Sequence, residues 1–227
     1  TVTLLNAIVK HQQGPFVFSS TAAVFGEPDY TPIDEAHPQA PINPYGHTKR
    51  MVEQVLADYG QAYGLRSVAL RYFNAAGADP QGQLGERHEP ETHLIPLVLQ
   101  VALGLREEIS VFGDDWPTPD GTCIRDYIHV RDLADAHVLA LATAQPGAHG
   151  IYNLGNGTGF SVREVIACCE RVTGGPIAAR DVERRAGDPA VLIASSEKAI
   201  TELGWRPRHT SIDEIVADAW EFTRSRA

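Results

Sequence analysis

Tyr45 and Lys49 are the residues of this sequence whose types and spacing most directly suggest proton transfer. They lie four positions apart at the start of a predicted helix, so both side chains lie on one helix face. A free tyrosine has a pKa of about 10, and a nearby ammonium group favours its ionised form. The pair could therefore act as a general acid or base tuned by Lys49. The same spacing also occurs on ordinary solvated helix faces, so the pair alone does not define a site.

A group of hydroxyls precedes this pair in the chain. The predicted buried strand "GPFVFSS" ends with Ser19 and Ser20, and Thr21 follows it directly. Ligands of parallel α/β sheets bind at the carboxyl ends of strands, where a hydroxyl can bond a substrate oxygen or simply cap the strand. A strand end followed by the next helix would bring Thr21, Tyr45 and Lys49 to one crevice.

The elements that must position these residues alternate between helices and short apolar strands. Helices are predicted over 1–13 and 45–63, and strands over 14–20 and 66–73. Near-continuous apolar strands joined by helices are typical of a buried parallel sheet. We therefore predict an α/β fold that contains part of a doubly wound parallel (Rossmann-type) sheet and a smaller α/β substrate-binding domain.

The rest of the chain is less regular. Further helices are predicted over 93–105, 131–144, 162–174, 195–205 and 211–225, and strands over 108–113, 124–130 and 150–155. Ser161 and Glu164 form a capping-box pattern at the start of one of these helices. We predict a first domain over 1–78 with return segments near 131–156, and a second over 79–227.

Composition excludes several classes of function. The net charge is −10, which argues against a nucleic-acid partner and requires any anion site to concentrate arginines locally. The three cysteines are odd in number and two are adjacent, so neither a disulfide framework nor a metal site is expected. Their usage fits a reducing, cytoplasmic compartment. No apolar run approaches the roughly 20 residues that span a bilayer, so no membrane partner is expected.

Five stretches in order resemble the extended short-chain dehydrogenase/reductase family, in its nucleotide-sugar epimerase branch. They are "FSSTAAVFG", "NPYGHTK", "RYFNAAGADPQGQLGE", "TCIRDYIHVRDLADAH" and "RRAGDPA". The resemblance implies NAD-dependent 4-epimerisation of a UDP-sugar, interconverting UDP-glucose and UDP-galactose through a transient 4-keto intermediate. It also implies that 1–78 belongs to the NAD-binding domain, that 79–227 binds the sugar nucleotide, and that the full-length protein is a homodimer through helices 1–13 and 45–63.

The resemblance further implies the role of each site residue. Tyr45 would take the 4-hydroxyl proton, Lys49 would lower its pKa and hold the nicotinamide ribose, and Thr21 would bond the same oxygen. The implied cofactor-binding residues are Thr21, Tyr45, Lys49, Tyr72 and Phe73. The implied substrate-binding residues are Thr21, Asn74, His93, Leu94, Phe112, Arg125, Arg185 and Asp188, with the arginines on the diphosphate.

Some positions depart from the family pattern. His93 stands where many relatives have asparagine, Phe25 replaces a common tyrosine, and Leu192 leaves the acceptance of N-acetylated sugars open. Thr21 is followed by Ala22 and Ala23 rather than by the acids of related dehydratases, so dehydration ranks below epimerisation. A UDP-pentose 4-epimerase, and a related dehydratase, decarboxylase or reductase, remain as alternatives.

The glycine-rich turn that binds the cofactor pyrophosphate in this family has no clear counterpart here. The run "NLGNGTGF" follows a predicted strand, but it lies late in the chain and no ribose-binding acid follows in a second βαβ unit. We therefore expect the chain to be the C-terminal two-thirds of an epimerase and to be inactive by itself. The alternative for the chain itself is a non-catalytic remnant that binds UDP-sugar.

Overall fold

The computed structural model describes residues 1–11 and 14–226 and confirms the predicted α/β class. Gln12 and Gln13, which end the first predicted helix, lie outside the described residues. The helices are α1 (Val2–Lys10), α2 (Pro44–Tyr63), α3 (Leu94–Ala102), α4 (Val130–Thr143), α5 (Val162–Thr173), α6 (Glu197–Glu202) and α7 (Ile212–Arg224). The strands are β1 (Phe16–Thr21), β2 (Ser67–Tyr72), β3 (Asn74–Ala76), β4 (Ile109–Phe112), β5 (Ile124–His129), β6 (His149–Leu154), β7 (Gly159–Ser161), β8 (Ala179–Val182) and β9 (Val191–Leu192).

The first sheet is parallel, has the strand order β1-β2-β6, and is covered by helices on both faces. Phe16 and Phe18 of β1 join the apolar cluster that α1 and α2 contribute to, whereas Val17 joins the cluster of α4 and α6. Successive strand residues point to opposite faces of a sheet, so this alternation requires a helix layer on each side. The sheet is therefore doubly wound, as the sequence predicted.

A second core lies among α3, α5 and α7. Beside it, β5 pairs with β3 and β9 in parallel and with β7 in the antiparallel sense, and β4 and β8 form a separate parallel pair. Helix α6 lies late in the chain but packs on the first sheet, where Trp205 just beyond it is fully buried. The residues that pack on the first sheet and those of the second core are therefore not divided at a single position in the sequence.

Four short strands, β3, β7, β8 and β9, lie outside the strands that were predicted from the sequence. Each has two to four residues. The strand β8, "ARDV", is largely exposed and polar, and β7 begins with Gly159. Their strand conformation comes from pairing with distant segments, which a local hydrophobic period does not report. Within 1–11 and 14–226, no helix is both long and apolar enough to cross a lipid bilayer.

A buried ion pair joins α2 to the first sheet. The carboxylate of Glu53 on α2 accepts hydrogen bonds from Nε and Nη2 of Arg71 on β2, the latter at 2.6 Å. The hydroxyl of Ser20 on β1 donates to the same carboxylate at 2.5 Å. Arg71 is fully buried and Glu53 is 4% exposed, so each charge depends on the other for compensation. This network fixes α2 against β1 and β2.

We expect the substitution Glu53→Gln to destabilise the protein by about 3–5 kcal/mol, because it leaves the Arg71 guanidinium buried without a counter-charge. The free energy of unfolding from urea titration measures this effect. The control is Glu221→Gln, which breaks an exposed pair with Arg224 and should cost less than about 1 kcal/mol. Equal losses in the two variants would contradict the role assigned to the buried pair.

Candidate active site

The start of α2 is held close to the end of β1. The side chain of Asn43 accepts a hydrogen bond from the backbone N–H of Gly46 at 2.8 Å, and Pro44 occupies the first turn, so the helix begins just before Tyr45. A Cβ at Gly46 would lie 2.3 Å from the carbonyl oxygen of Ala23. Only glycine permits this approach, which brings the first turn of α2 against the short 3-10 turn that follows Thr21.

Thr21 and Tyr45 lie close together at this junction, where both side chains line the same cavity. Thr21 Oγ1 accepts the backbone N–H of Ala23 at 3.2 Å, so the hydroxyl caps the strand end. Burial raises the pKa of Tyr45, and the neighbouring Thr21 hydroxyl offsets part of that rise. The phenol is therefore the resting form, able to donate a proton to a substrate oxygen.

Lys49 lies on the same helix face but is not bonded to the Tyr45 hydroxyl. Its ammonium donates to the backbone carbonyl of Ser19 at 2.8 Å and lies 5.4 Å from the centre of the Tyr45 ring. Burial lowers the pKa of Lys49. Burial is the largest influence on the pKa of Tyr45 in this arrangement, and the lowering of that pKa by Lys49 stays a prediction. The lysine instead places a positive charge beside the ring at the end of β1.

A cavity of about 890 Å³ opens at the carboxyl end of the first sheet and contains most of the predicted catalytic residues. Thr21 and Tyr45 line it together with Tyr72, the last residue of β2, with Phe73, which follows it, and with His93 before α3. The sequence-based expectation that a strand end and the next helix share one crevice therefore agrees with the geometry.

A second cavity of about 520 Å³ contains most of the residues expected to hold the nucleotide. Its lining includes Leu94, Phe112, Arg125, Arg185 and Asp188. A smaller space of about 190 Å³, lined by Thr21, Phe73, Arg125 and Asp188 among others, lies between the two. Asn74 lines all three spaces, so they form one continuous site.

The arginines of the second cavity leave positive charge available to an anionic ligand. Arg125 lies 3.8 Å from the Asp188 carboxylate, a long ion pair, and Arg185 stacks over the Phe112 ring at 4.2 Å. Within the described ranges Arg185 forms no ion pair, whereas its neighbour Arg184 pairs with Asp115. Guanidinium groups held this way can accept a diphosphate through charge-assisted hydrogen bonds.

The glycine run after β6 does not form a phosphate loop. Asn156 N–H donates to Oδ1 of Asp126 at 2.8 Å, and Gly157 N–H donates to Oδ2 at 3.0 Å. A carboxylate of the protein thus occupies the position that a phosphate would take. Burial raises the pKa of Asp126 to about 6. These hydrogen bonds favour the ionised carboxylate and offset part of that rise. The residues around Tyr45 and Lys49 fit the nicotinamide-ribose end of a dinucleotide, but this glycine run does not fit its pyrophosphate.

Two arginines that the sequence analysis did not identify line the site. Arg106 borders the second cavity, and Arg131 borders the first. Arg131 lies in the first turn of α4, two residues after the end of β5, and its backbone N–H donates to Nδ1 of His129. A charged residue at the carboxyl end of a predicted buried strand indicates a ligand site, because ligands bind at that edge of a parallel sheet. Arg131 meets this criterion. Arg106 lies in a polar turn after α3, where nothing in the local pattern distinguishes it.

Two of the departures from the family pattern, Phe25 and Leu192, have clear places in the structure. Phe25 is fully buried and its ring lies under the Arg71 guanidinium at 5.2 Å, so this position contributes packing without a hydroxyl. Leu192 on β9 lines the space between the two cavities.

Comparison with known proteins agrees with this geometry. Residues 1–155 match the model of the NAD dependent epimerase/dehydratase family. The chain is 58% identical over 222 residues to a UDP-glucose 4-epimerase of Corynebacterium glutamicum, an alignment that covers 98% of this chain and 67% of the relative. The chain thus spans about two thirds of the length of that relative.

Solved structures show the same relationship. A UDP-glucose 4-epimerase from Bifidobacterium longum in complex with NAD+ and UDP superimposes with a TM-score of 0.94 at 41% identity, covering 99% of this chain and 68% of that one. The enzyme from Brucella ovis in complex with NAD gives a TM-score of 0.91 at 48% identity, covering 96% and 67%. The chain belongs to the NAD dependent epimerase/dehydratase family.

Proposed function

We propose that this chain provides the catalytic and sugar-nucleotide-binding residues of an NAD-dependent UDP-sugar 4-epimerase acting on UDP-glucose and UDP-galactose. The observation on which the proposal rests is the single continuous site, with Thr21 and Tyr45 lining one end and Arg125 and Arg185 lining the other. Lys49 lies behind the first end, 5.4 Å from the centre of the Tyr45 ring. The relatives from C. glutamicum and B. longum, both described as UDP-glucose 4-epimerases, support the same reaction.

In this mechanism Tyr45 moves one proton at the C4 oxygen of the sugar. The phenolate form removes the proton as the C4–H hydride leaves, and the phenol returns it after the sugar has turned over. Bound NAD would accept that hydride and give it back. Thr21, which lines the cavity beside Tyr45, orients the C4 oxygen, and the Lys49 ammonium beside the Tyr45 ring compensates the charge of the phenolate. Burial favours the neutral phenol, so this compensation is needed for the base form.

The two halves of the site must hold their ligand differently. The 4-keto sugar has to rotate to present its other face, so it must be bound loosely, while the nucleotide must stay bound tightly. Arg185 over Phe112 and Arg125 beside Asp188 bind the nucleotide tightly, in a protein of net charge −10.

We further assign 1–78, with 131–156, to the cofactor-binding domain and 79–227 to the sugar-nucleotide domain. The separate sheet β1-β2-β6 supports this division, although α6 from the second range packs on that sheet.

The related reactions rank lower for structural reasons. The two residues after Thr21 are Ala22 and Ala23, which form the 3-10 turn against α2, so no carboxylate stands there to eliminate water. A UDP-pentose 4-epimerase would use the same proton relay, and Leu192 between the cavities does not distinguish a hexose from a pentose.

We also propose a cytoplasmic homodimer in which α1 and α2 form the interface. The exposed apolar side chains of Leu4 on α1 and Met51 and Tyr63 on α2 support the interface, and the free thiols of Cys123, Cys168 and Cys169 support a reducing compartment. In sedimentation velocity at micromolar concentration we expect a dimer. Met51→Lys should shift the equilibrium to monomer, whereas Leu105→Lys, at another exposed apolar position, should leave the dimer intact. A monomeric wild type would contradict the interface.

Turnover of nucleotide sugars tests the reaction class. The 227-residue chain and the product of the complete reading frame that contains it should each be assayed with UDP-glucose and NAD, with UDP-galactose as the expected product. Conversion of UDP-pentoses alone, or release of a 4-keto or decarboxylated sugar, would overturn the assignment. An active reading-frame product with an inactive 227-residue chain would identify the chain itself as a sugar-nucleotide-binding segment.

The substitution Tyr45→Phe tests the proton relay in whichever of these two proteins is active. It removes the hydroxyl and keeps the ring, so we expect turnover to fall by about 10²–10⁴-fold with UDP affinity unchanged. Tyr63→Phe, at the exposed far end of the same helix, is the matched control and should retain wild-type turnover. Wild-type turnover in Tyr45→Phe would remove Tyr45 from the mechanism.

A further inference from the structure

Four metal-ligating side chains converge at the segment that leads into α3. They are Glu86, His88, Glu91 and His93. One ligand atom from each residue lies within 4.8 Å of all the others. None of the four takes part in the proton relay, and His93 alone was expected to contact substrate. The arrangement combines two imidazoles with two carboxylates, a donor set suited to a transition-metal ion.

The hydrogen bonds of this cluster leave a negative charge without a full partner. Nδ1 of His93 lies 2.7 Å from Oε1 of Glu86 and 2.9 Å from Oε1 of Glu91. One imidazole nitrogen carries at most one proton, so it cannot donate fully to both carboxylates. A divalent cation would satisfy both carboxylates at once.

The distances are close to those of a tetrahedral zinc site. Ligands at about 2.1 Å from Zn²⁺ lie about 3.4 Å from one another. The pairs centred on His93 are slightly shorter than this, and Nδ1 of His88 lies 3.9 Å from Oε1 of Glu91, slightly longer. His88 and His93 are each half-exposed, so their rings have room to move toward the common spacing of a tetrahedral site.

One ligand is already oriented by the backbone. Oε1 of Glu91 accepts the N–H groups of Thr92 at 2.7 Å and His93 at 2.8 Å, and the Glu91 side chain is only 8% exposed. Such outer bonds fix the direction of a ligand and raise metal affinity. We propose that Glu86, His88, Glu91 and His93 form a site for one divalent transition-metal ion, with Zn²⁺ as the preferred ion.

A metal here would connect the segment before α3 to the first turn of that helix. Glu86 and His93 also line the large cavity, so the ion would stiffen one wall of the site. Coordination through Nδ1 leaves Nε2 as the only ring nitrogen of His93 that can contact a substrate. The ion is therefore structural in its action and is not required for the proton relay of Tyr45.

Calorimetric titration of the 227-residue chain with zinc chloride, after dialysis against a chelator, tests the site. We expect one Zn²⁺ per chain with a micromolar Kd that weakens on acidification, because histidine must be deprotonated to coordinate. His88→Gln should weaken binding by about 100-fold or more, since even outer-shell partners are worth about 10–100-fold. His47→Gln, at an exposed histidine on α2 outside the cluster, is the matched control and should bind like the wild type.

A second readout separates coordination by His88 from indirect effects. Co²⁺ should bind with the visible absorption of a four-coordinate ion, and His88→Cys should retain binding and add a sulfur-to-cobalt charge-transfer band. Absence of Zn²⁺ binding in the wild type, unchanged affinity in His88→Gln, or lack of the new band in a folded His88→Cys chain would each overturn the four-ligand site.

Discussion

The bond between Glu53 and Arg71 is the interaction on which the rest of this structure depends. It joins the middle of α2 to the centre of the first sheet, and Ser20 adds β1 to the same carboxylate. The catalytic pair lies on α2, one and two turns before Glu53, and Thr21 directly follows Ser20. The geometry of Tyr45 is therefore set by a network of charges that has no direct contact with the substrate. A fully buried ion pair adds little net stability, but it tolerates only one arrangement of its partners.

The two ends of the site use electrostatics in opposite ways. At the Tyr45 end burial favours the neutral phenol, and one ammonium is held beside it by a backbone carbonyl. At the other end, Arg125 lies 3.8 Å from the Asp188 carboxylate and Arg185 stacks on the Phe112 ring, so both guanidinium groups keep positive charge available. The glycine run after β6 binds no phosphate in this arrangement. Its backbone amides donate to Asp126, whose carboxylate takes the place of a phosphate.

Much of the fold and the site could be predicted from the sequence, and the failures have a common cause. The apolar runs of β1 and β2 and the capped helices α2 and α5 are determined locally, so pattern and turn chemistry located them. The strands β3, β7, β8 and β9 exist because distant segments pair with them, and Arg106 reaches the site from a turn with no distinctive signal. Motif order placed Tyr45 and Thr21 together, but it could not report that burial would raise the pKa of the Tyr45 phenol.

The close approach at Gly46 has a consequence for how this site can change. The separation of Tyr45 and Thr21 is set by main-chain atoms, since the helix start rests on the carbonyl of Ala23. Side chains around the cavity, such as Leu192, are not part of that contact. Residues that decide which sugar enters can therefore change while the spacing of Tyr45 and Thr21 stays constant. Substrate range and the chemical step can thus evolve independently.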